Sequence, residues 1–217
     1  MRFSSPFDLV IFDCDGVLVD SEKLSIELDR RVLADLGWSL SHSEILHRFV
    51  GRSAAHFRAE IERHLGTSLS EDWEAPYQSW YEDAFSRELT AVPGVESALD
   101  EIPTRTCVAS SGSHAKIRRT LGLTGLHSRF AGRIFSADDV VEGKPAPDLF
   151  LHAADSLGVA PGRCAVVEDS RFGVQAARAA GMQVFGYSGG LTPPEWLERE
   201  GATVFSDMRR LPALLRG

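Results

Sequence analysis

The hydrophobic positions of the chain begin with a short continuous run, Leu9-Val10-Ile11-Phe12. Such a run, followed at once by acidic residues and a glycine, is typical of a β-strand buried on both faces. After Asp20 the apolar residues recur four apart instead, at Leu24, Leu28, Val32 and Leu36. This spacing predicts an amphipathic helix, with Ser21 as its candidate N-cap and Gly37 as its end.

Helical patterns continue from residue 21 to about residue 90, and no stretch between these limits has the pattern of a strand. Three further helices are predicted here, with starts at Ser41 or Ser43, at Ser53 and beyond Pro76. Three of the four tryptophans lie in this stretch, so it has the aromatic residues for a small core of its own. We expect residues 21–90 to form an all-helical insertion.

From residue 91 onward, strand and helix patterns alternate. The strand candidates are short apolar runs at 104–109, 134–135, 164–167, 183–187 and 203–205. Alternation of this kind predicts a parallel sheet with helices on both faces. The expected architecture is therefore an α/β core made of residues 1–20 and 91–217, interrupted by the helical insertion at residues 21–90.

Polar residues follow several of the predicted strands, at the point where each strand ends. Asp13 and Asp15 follow the first strand, Ser110 follows the run at 104–109, and Glu168 and Asp169 follow the run at 164–167. Because the carboxyl ends of parallel strands meet at one edge of a sheet, we expect these side chains to converge. Carboxylates so close together need a counter-charge, and an oxygen-bound Mg²⁺ supplies one.

Two residues add a different chemistry to these acids. Lys144 is a cation between Gly143 and Pro145, and Ser110 offers a hydroxyl donor. A cation and a hydroxyl suit an anionic tetrahedral group such as phosphate. Together with the acids they predict a phosphate-and-magnesium site in which one carboxylate is free to act as a nucleophile.

Composition and charge limit the partners. The formal net charge of -8 over 217 residues argues against a nucleic-acid binder, which usually carries a basic face. A small phosphorylated substrate is still compatible, because a few local cations and a metal reverse the potential in a pocket.

The three cysteines make a poor disulfide framework and are expected to be buried thiols. The chain lacks the pattern of a signal peptide or a membrane span, so we expect a cytoplasmic location; its oligomeric state stays open.

Four short motifs, in this order, resemble those of the haloacid dehalogenase superfamily. They are Asp13-Cys14-Asp15-Gly16-Val17, Ser110 at the end of Cys107-Val108-Ala109-Ser110, Lys144 in Gly143-Lys144-Pro145-Ala146-Pro147-Asp148, and Val166-Val167-Glu168-Asp169-Ser170. The resemblance covers essentially the whole chain. It is to the small-metabolite phosphatases and β-phosphoglucomutase-like proteins, and it implies a Rossmann-like core with an inserted helical cap.

The resemblance also implies a role for each matching residue. Asp13 would attack phosphorus and become an aspartyl phosphate, and Asp15 would protonate the leaving oxygen and then activate the hydrolytic water. Lys144 would also keep Asp13 ionised. The phosphoryl oxygens would be held by Ser110, Ser111, Lys144 and, from a cap loop, Arg52. The Mg²⁺ ligands would be Asp13, the backbone carbonyl of Asp15, Asp169 and, directly or through water, Glu168.

The expected function is a Mg²⁺-dependent phosphatase acting on a small phosphorylated metabolite such as a sugar phosphate. The alternative is a phosphomutase of the β-phosphoglucomutase type, which shares the core. Mutases of this group resemble one another in a cap histidine and a substrate-loop arginine, and these positions hold Ser25 and Ala54 here. Dehalogenases generally lack the second aspartate, which is present as Asp15. A non-catalytic binding module leaves the intact motif set unexplained.

Overall fold

The structure is a computed structural model that describes residues 6–217. Its centre is a six-stranded sheet in the order β3-β2-β1-β4-β5-β6, and every neighbouring pair of strands is parallel. The strands are β1 Leu9–Phe12, β2 Arg105–Ser110, β3 Ile134–Ser136, β4 Cys164–Glu168, β5 Gln183–Tyr187 and β6 Thr203–Phe205. The α/β class and the parallel sheet predicted from the alternating pattern are therefore confirmed.

The first strand lies in the middle of this sheet. β1 pairs with β2 on one side and β4 on the other, so that Phe12 lies opposite both Val108 and Val167. All four residues of β1 and all five of β4 are buried, as a strand covered on both faces requires. This register places the residues that follow β1, β2 and β4 at the same edge of the sheet.

Helices cover the two faces of the sheet. They are α5 Val95–Glu101, α6 His114–Leu123, α7 His127–Phe130, α8 Asp148–Ser156, α9 Arg171–Ala179, α10 Pro194–Arg199 and α11 Leu211–Leu214. Alternate residues of β1 belong to two apolar clusters: Val10 and Phe12 pack in one, and Leu9 and Ile11 in the other. The short helices α7 and α10 were not predicted, because a helix of four to six residues has too few positions to show a period.

Residues 22–88, which we call the helical segment, contain four further helices between β1 and β2. They are α1 Glu22–Asp35, α2 His42–Phe49, α3 Ala54–Leu65 and α4 Gln78–Glu88. The segment has its own buried apolar cluster, made of Ile26, Leu33, Leu40, Ile45, Phe49 and Ile61. Its two connections to the sheet run side by side, because Val19 and Ala91 form an antiparallel bridge and the Asp20 N–H donates to Thr90 O at 2.9 Å.

The helix starts show which serines act as caps. Ser41, Ser53, Ser113 and Ser170 each sit at an N-cap and accept a hydrogen bond from a backbone N–H of the first turn. Ser21 also precedes a helix, but its side chain makes no capping hydrogen bond. Its hydroxyl instead donates to Asp15 Oδ1 at 2.5 Å. The expected cap at Ser21 is therefore wrong, because Ser21 has helical backbone angles (φ -93°, ψ -18°) and not the extended ones of a capping residue.

Two further expectations concern the whole chain. Cys14, Cys107 and Cys164 are all free and buried, as predicted. Among residues 6–217, no helix is both long enough and apolar enough to cross a lipid bilayer.

Candidate active site

A tight loop after β1 brings two acids to the carboxyl edge of the sheet. Asp13 follows β1 directly, and its N–H donates to Val167 O of β4 at 3.0 Å. Gly16 turns the loop with a φ of 73°, and a Cβ atom at this position would lie 1.9 Å from Asp169 Oδ2. Glycine alone combines this backbone angle with so close an approach. The Asp-x-Asp-Gly motif therefore needs its glycine to bring the loop against the end of β4.

Lys144 is the centre of a buried cluster of charges. Its side chain is 1% exposed. Its Nζ donates to Asp13 Oδ1 at 2.9 Å, to Glu168 Oε1 at 2.6 Å and to Ala109 O at 3.2 Å, which uses all three N–H groups of the ammonium. Burial by itself would lower the pKa of Lys144, but the carboxylates of Asp13 and Glu168 outweigh it and raise that pKa above its ordinary value. Lys144 is therefore held as a cation between the ends of three strands.

Asp13 is buried beside this cation. Burial raises the pKa of Asp13 to about 7, because the attraction of Lys144 offsets the loss of solvent only in part and the charge of Glu168 adds to the rise. The carboxylate Oδ1 is fixed by the hydrogen bond from Lys144. The side chain therefore has one defined orientation at the edge of the cleft.

Glu168 holds Lys144 from the other side. Its Oε2 accepts hydrogen bonds from the N–H groups of Asp169 and Ser170, each at 2.9 Å, and from the Ser170 hydroxyl at 3.0 Å. Gly173 of α9 leaves room for this carboxylate, since a Cβ there would meet Glu168 Oε1 at 1.8 Å. Glu168 therefore fixes both Lys144 and the start of α9.

Asp169 is buried, and one of its two carboxylate oxygens lacks a donor. No hydrogen bond from the described part of the chain reaches its Oδ2 atom, which is inaccessible to solvent. Burial, followed by the charges of Glu22, Glu168 and Asp13, raises the pKa of Asp169 well above its ordinary value. The buried residues of 6–217 therefore include four acids but a single cation, Lys144. The acids are Asp13, Glu22, Glu168 and Asp169.

A cation fits this excess of negative charge. Asp13, Glu168 and Asp169 each offer a carboxylate oxygen, and these three oxygens lie within 4.8 Å of one another. Oxygen ligands from carboxylates are those that Mg²⁺ prefers. The orphaned Oδ2 of Asp169 is the atom of the cluster with the greatest need for a positive partner.

Asp15 points away from this cluster to a second cation. Its Oδ2 accepts a hydrogen bond from Lys116 Nζ at 2.8 Å, and its Oδ1 accepts from the Ser21 hydroxyl at 2.5 Å. Burial by itself would raise the pKa of Asp15, but Lys116 and Ser21 outweigh it and hold that pKa below its ordinary value. The two acids of the motif are thus paired with different lysines, Asp13 with Lys144 and Asp15 with Lys116.

The three predicted phosphate-binding side chains outside the lysine cluster all line the same cleft. The Ser110 hydroxyl is buried at the end of β2 and accepts from the Gly112 N–H at 3.2 Å. The Ser111 hydroxyl donates to Gly51 O of the helical segment at 3.3 Å. Arg52 stacks its guanidinium 3.5 Å from the centre of the Phe172 ring, and its Nε is buried without an acceptor in the described chain.

A cleft of about 720 Å³ separates the sheet edge from the helical segment. Its floor contains Asp13, Asp15, Ser110 and Asp169, and its roof is formed by residues of α1, α4 and the loop before α3. The volume is typical of a pocket for a small metabolite. Of the predicted catalytic residues, Asp13 and Asp15 therefore face a cavity in which a small substrate fits, whereas Lys144 lies behind Asp13 and does not line it.

The sequence prediction missed Lys116 and Glu22. Lys116 lies in α6, where its spacing is that of an ordinary exposed helix residue, and nothing in the chain links it to Asp15. Glu22 is the first residue of α1, and an acid at that position is common on any helix. The sequence feature available at Glu22 was the pair Ser21-Glu22 directly after Asp20. This pair predicts the start of a helix and gives no indication that the Glu22 carboxylate is buried.

Known proteins resemble this chain over most of its length. The pattern of the haloacid dehalogenase-like hydrolases matches residues 10–187. A 6-phosphogluconate phosphatase from Escherichia coli is 30% identical over 211 residues, which are 97% of this chain and 95% of that protein. A phosphorylated carbohydrates phosphatase from Thermotoga maritima is 31% identical over 208 residues, which are 91% of this chain and 93% of that protein.

A solved structure extends the comparison to three dimensions. It is a haloacid dehalogenase-like protein from Agrobacterium tumefaciens, 38% identical, and the match covers 96% of this chain and 97% of that chain with a TM-score of 0.80.

The parallel sheet, with a lysine and carboxylates at its carboxyl edge, defines the class: an α/β enzyme whose site lies at the ends of the strands. The matches show which family of that class is present. The chain belongs to the haloacid dehalogenase-like hydrolases. The superfamily inferred from the four motifs is therefore confirmed.

Proposed function

We propose that this hydrolase is a Mg²⁺-dependent phosphatase that cleaves a small phosphorylated metabolite, such as a sugar phosphate, through an aspartyl phosphate on Asp13. The observation that carries the proposal is the placement of Asp13. It is bound by Lys144 and lies beside the orphaned Asp169, and it faces a cleft of about 720 Å³. The phosphatase activity itself rests on the family and on the two phosphatases to which the chain is similar.

Asp13, Asp169, the backbone carbonyl of Asp15 and, directly or through water, Glu168 would hold Mg²⁺. The ion, when bound, reduces the repulsion between a carboxylate nucleophile and a phosphate dianion. Glu168 contributes mainly by holding Lys144, because its oxygens already accept four hydrogen bonds from the protein. Lys144 opposes the rise that burial causes in the pKa of Asp13, which favours the ionised nucleophile, and it orients the carboxylate.

Asp15 is the candidate acid and base. Asp15, which Lys116 and Ser21 hold ionised in the structure, takes up a proton when the phosphate dianion binds. In the first step this proton goes to the leaving oxygen as the bond between that oxygen and phosphorus breaks, and a carboxylate oxygen of Asp13 forms the new bond to phosphorus, giving a mixed anhydride. In the second step Asp15 takes a proton from water, which attacks phosphorus and releases Asp13. Lys116 and Ser21 position Asp15 between these steps, since they hold both of its oxygens.

The phosphoryl oxygens are assigned to the donors around Asp13. The Ser110 hydroxyl lies at the sheet edge, and Arg52 brings a cation from the helical segment whose Nε lacks an acceptor. Lys144 would reach the phosphate by exchanging one of its three hydrogen bonds to the protein. Ser111 would reach the phosphate by exchanging its hydrogen bond to Gly51 O. The contact of Ser111 with Gly51 also ties the helical segment to the sheet edge.

The helical segment is proposed to be the cap domain, with residues 1–20 and 91–217 as the core. Its separate apolar cluster and its two adjacent connections at Val19 and Ala91 support this division. Ser25 and Ala54, the two positions at which the chain departs from the mutases, both line the cleft. A serine hydroxyl and a methyl group replace a histidine and an arginine there, which favours water over a second sugar hydroxyl as the acceptor.

Phosphate release from p-nitrophenyl phosphate tests the function. The purified protein is expected to release phosphate with Mg²⁺ and to lose this activity when the metal is removed with EDTA and not restored. Asp13→Asn is expected to lower kcat by at least about 10⁴-fold, because an amide is a far weaker nucleophile. Circular dichroism of the variant serves as the control for folding. Activity retained by Asp13→Asn would place the nucleophile elsewhere.

A further inference from the structure

The end of the cleft beyond Asp15 is acidic. Besides Glu22, the helical segment lines the cleft with five carboxylates: Asp29, Glu71, Asp72, Glu74 and Glu82. Among the described residues, Arg52 is the one cation that the segment adds to the lining. Arg52 follows Gly51, which lies against Ser111 and Ser170 at the sheet edge, so its charge is at the phosphate end.

Asp29 and Tyr81 form a hydrogen-bonded pair in the part of the cleft wall that these carboxylates line, which we call the acidic wall. Asp29 projects from α1 and Tyr81 from α4, and the Tyr81 hydroxyl donates to Asp29 Oδ1 at 2.6 Å. In the described chain no hydrogen bond reaches Asp29 Oδ2, although the side chain lines the cleft. Lys116 lines the cleft with both acids, donates a hydrogen bond to Asp15 and is close enough to Asp29 for their charges to interact. The candidate acid and Asp29 thus belong to one path of polar side chains along the cleft wall.

The cations on this path are already neutralised. Lys116 pairs with Asp15 at 2.8 Å, and Arg119 pairs with Glu82 at 2.9 Å. A carboxylate on the substrate would find no unpaired cation here, and it would be repelled by Asp29 and its acidic neighbours. A hydroxyl group, in contrast, can donate to the free Oδ2 of Asp29 without bringing a charge into the wall.

We propose that the enzyme selects phosphate monoesters of neutral polyhydroxy compounds, such as sugars and sugar alcohols, and discriminates against those whose leaving group carries a carboxylate. Asp29, oriented by Tyr81, is the specificity-determining residue, and it accepts a hydrogen bond from a substrate hydroxyl. This inference rests on the proposed function, because Asp15 must face the leaving oxygen for the leaving group to extend toward Asp29.

Two pairs of matched substrates test the preference. Sorbitol 6-phosphate and 6-phosphogluconate differ at one terminal carbon, a hydroxymethyl group against a carboxylate, and glycerol 3-phosphate and 3-phosphoglycerate differ in the same way. We expect kcat/KM to be about tenfold higher for the neutral member of each pair. Equal values, or a preference for the acids, would overturn the inference and point to Arg52 as the partner of a substrate carboxylate.

Asp29→Asn tests the residue itself. This substitution keeps the shape and removes the charge, so the ratio of kcat/KM values within each pair is expected to fall toward one, mainly through a lower KM for the acid. Asp83→Asn is the matched control: it is the same change on α4 at a carboxylate that is 71% exposed and does not line the cleft. The control is expected to keep the wild-type ratio, and an unchanged ratio in Asp29→Asn would contradict the assignment.

Binding measurements distinguish a failure of this inference from a failure of the proposed function. Absence of phosphate release from p-nitrophenyl phosphate would count against the phosphatase, not against the selectivity. Calorimetric titration of Asp13→Asn with the same four phosphates then decides the question without turnover. Tighter binding of the neutral member of each pair supports the inference, whereas equal or tighter binding of the acid overturns it.

Discussion

Two lysine–aspartate pairs lie at and beside the carboxyl edge of the sheet, and they are built differently. At the sheet edge, the side chains of Lys144 and Asp13 are 1% and 8% exposed, and Glu168 closes the pair from behind. Farther along, the side chains of Lys116 and Asp15 are 41% and 27% exposed, and they meet in the open cleft. The first pair is part of the folded core, and the second belongs to the lining of the cleft.

The difference follows from the elements that hold each pair. Asp13 and Glu168 are fixed by the register of β1 and β4, since each lies at or just beyond the last paired residue of its strand. Lys116 comes from the first turns of α6, and a long flexible side chain spans the distance to Asp15. A buried pair that loses one partner leaves an uncompensated charge, whereas a solvated pair loses little. The two lysines should therefore respond very differently to the same substitution.

Lys144→Met is expected to have the largest effect. It removes the cation from between Asp13 and Glu168 and leaves both acids buried, which should lower the free energy of unfolding by about 3–5 kcal/mol. Urea unfolding followed by circular dichroism measures this loss. Phosphate release should also become undetectable, because Asp13 loses the group that orients it. A stability within about 1 kcal/mol of wild type would show that the cluster does not depend on this lysine.

Lys116→Met is the same change at the solvated pair and is expected to have an intermediate effect. The free energy of unfolding should fall by less than about 1 kcal/mol, since the partners are partly exposed. kcat for p-nitrophenyl phosphate should fall about 10- to 100-fold, because Asp15 is then held by Ser21 alone. Equal losses of stability in Lys116→Met and Lys144→Met would contradict the contrast between the two pairs.

The sheet edge was predictable because its signals are local. A buried strand followed by acids places Asp13 at the end of β1, and the same pattern places Glu168 at the end of β4. The parallel arrangement then brings them together with no further information. The capping serines Ser41 and Ser53 were predictable for the same reason, since a cap involves residues two or three apart.

The wall of the cleft was not predictable because its contacts join distant parts of the chain. Lys116 is 101 residues from Asp15, and Tyr81 is 52 residues from Asp29. Each reads as an ordinary helix residue until α1, α4 and α6 are placed around the cleft. Ser21 shows the same limit at short range: its position predicts a cap, and only the fold of the loop shows that Asp15 takes the hydroxyl. Contacts made by side chains across the cleft leave no pattern in the sequence.

Asp29→Asn is expected to shift stability in the direction opposite to that of the lysine variants. Burial raises the pKa of Asp29 from 3.8 to about 6, against the hydrogen bond from Tyr81. The folded state therefore favours the protonated acid, and the cost of keeping Asp29 charged is absent near pH 3.8 and complete above about pH 6. After allowance for its partial exposure, the variant should be about 1 kcal/mol more stable than wild type at pH 7.5 and nearly equal to it at pH 4. Urea unfolding at both values measures the difference, with Asp83→Asn as the control that should change little at either pH. If the variant were less stable than wild type at pH 7.5, the charge of Asp29 would stabilise the fold. The prediction that the ionised carboxylate lowers the free energy of unfolding would then be wrong.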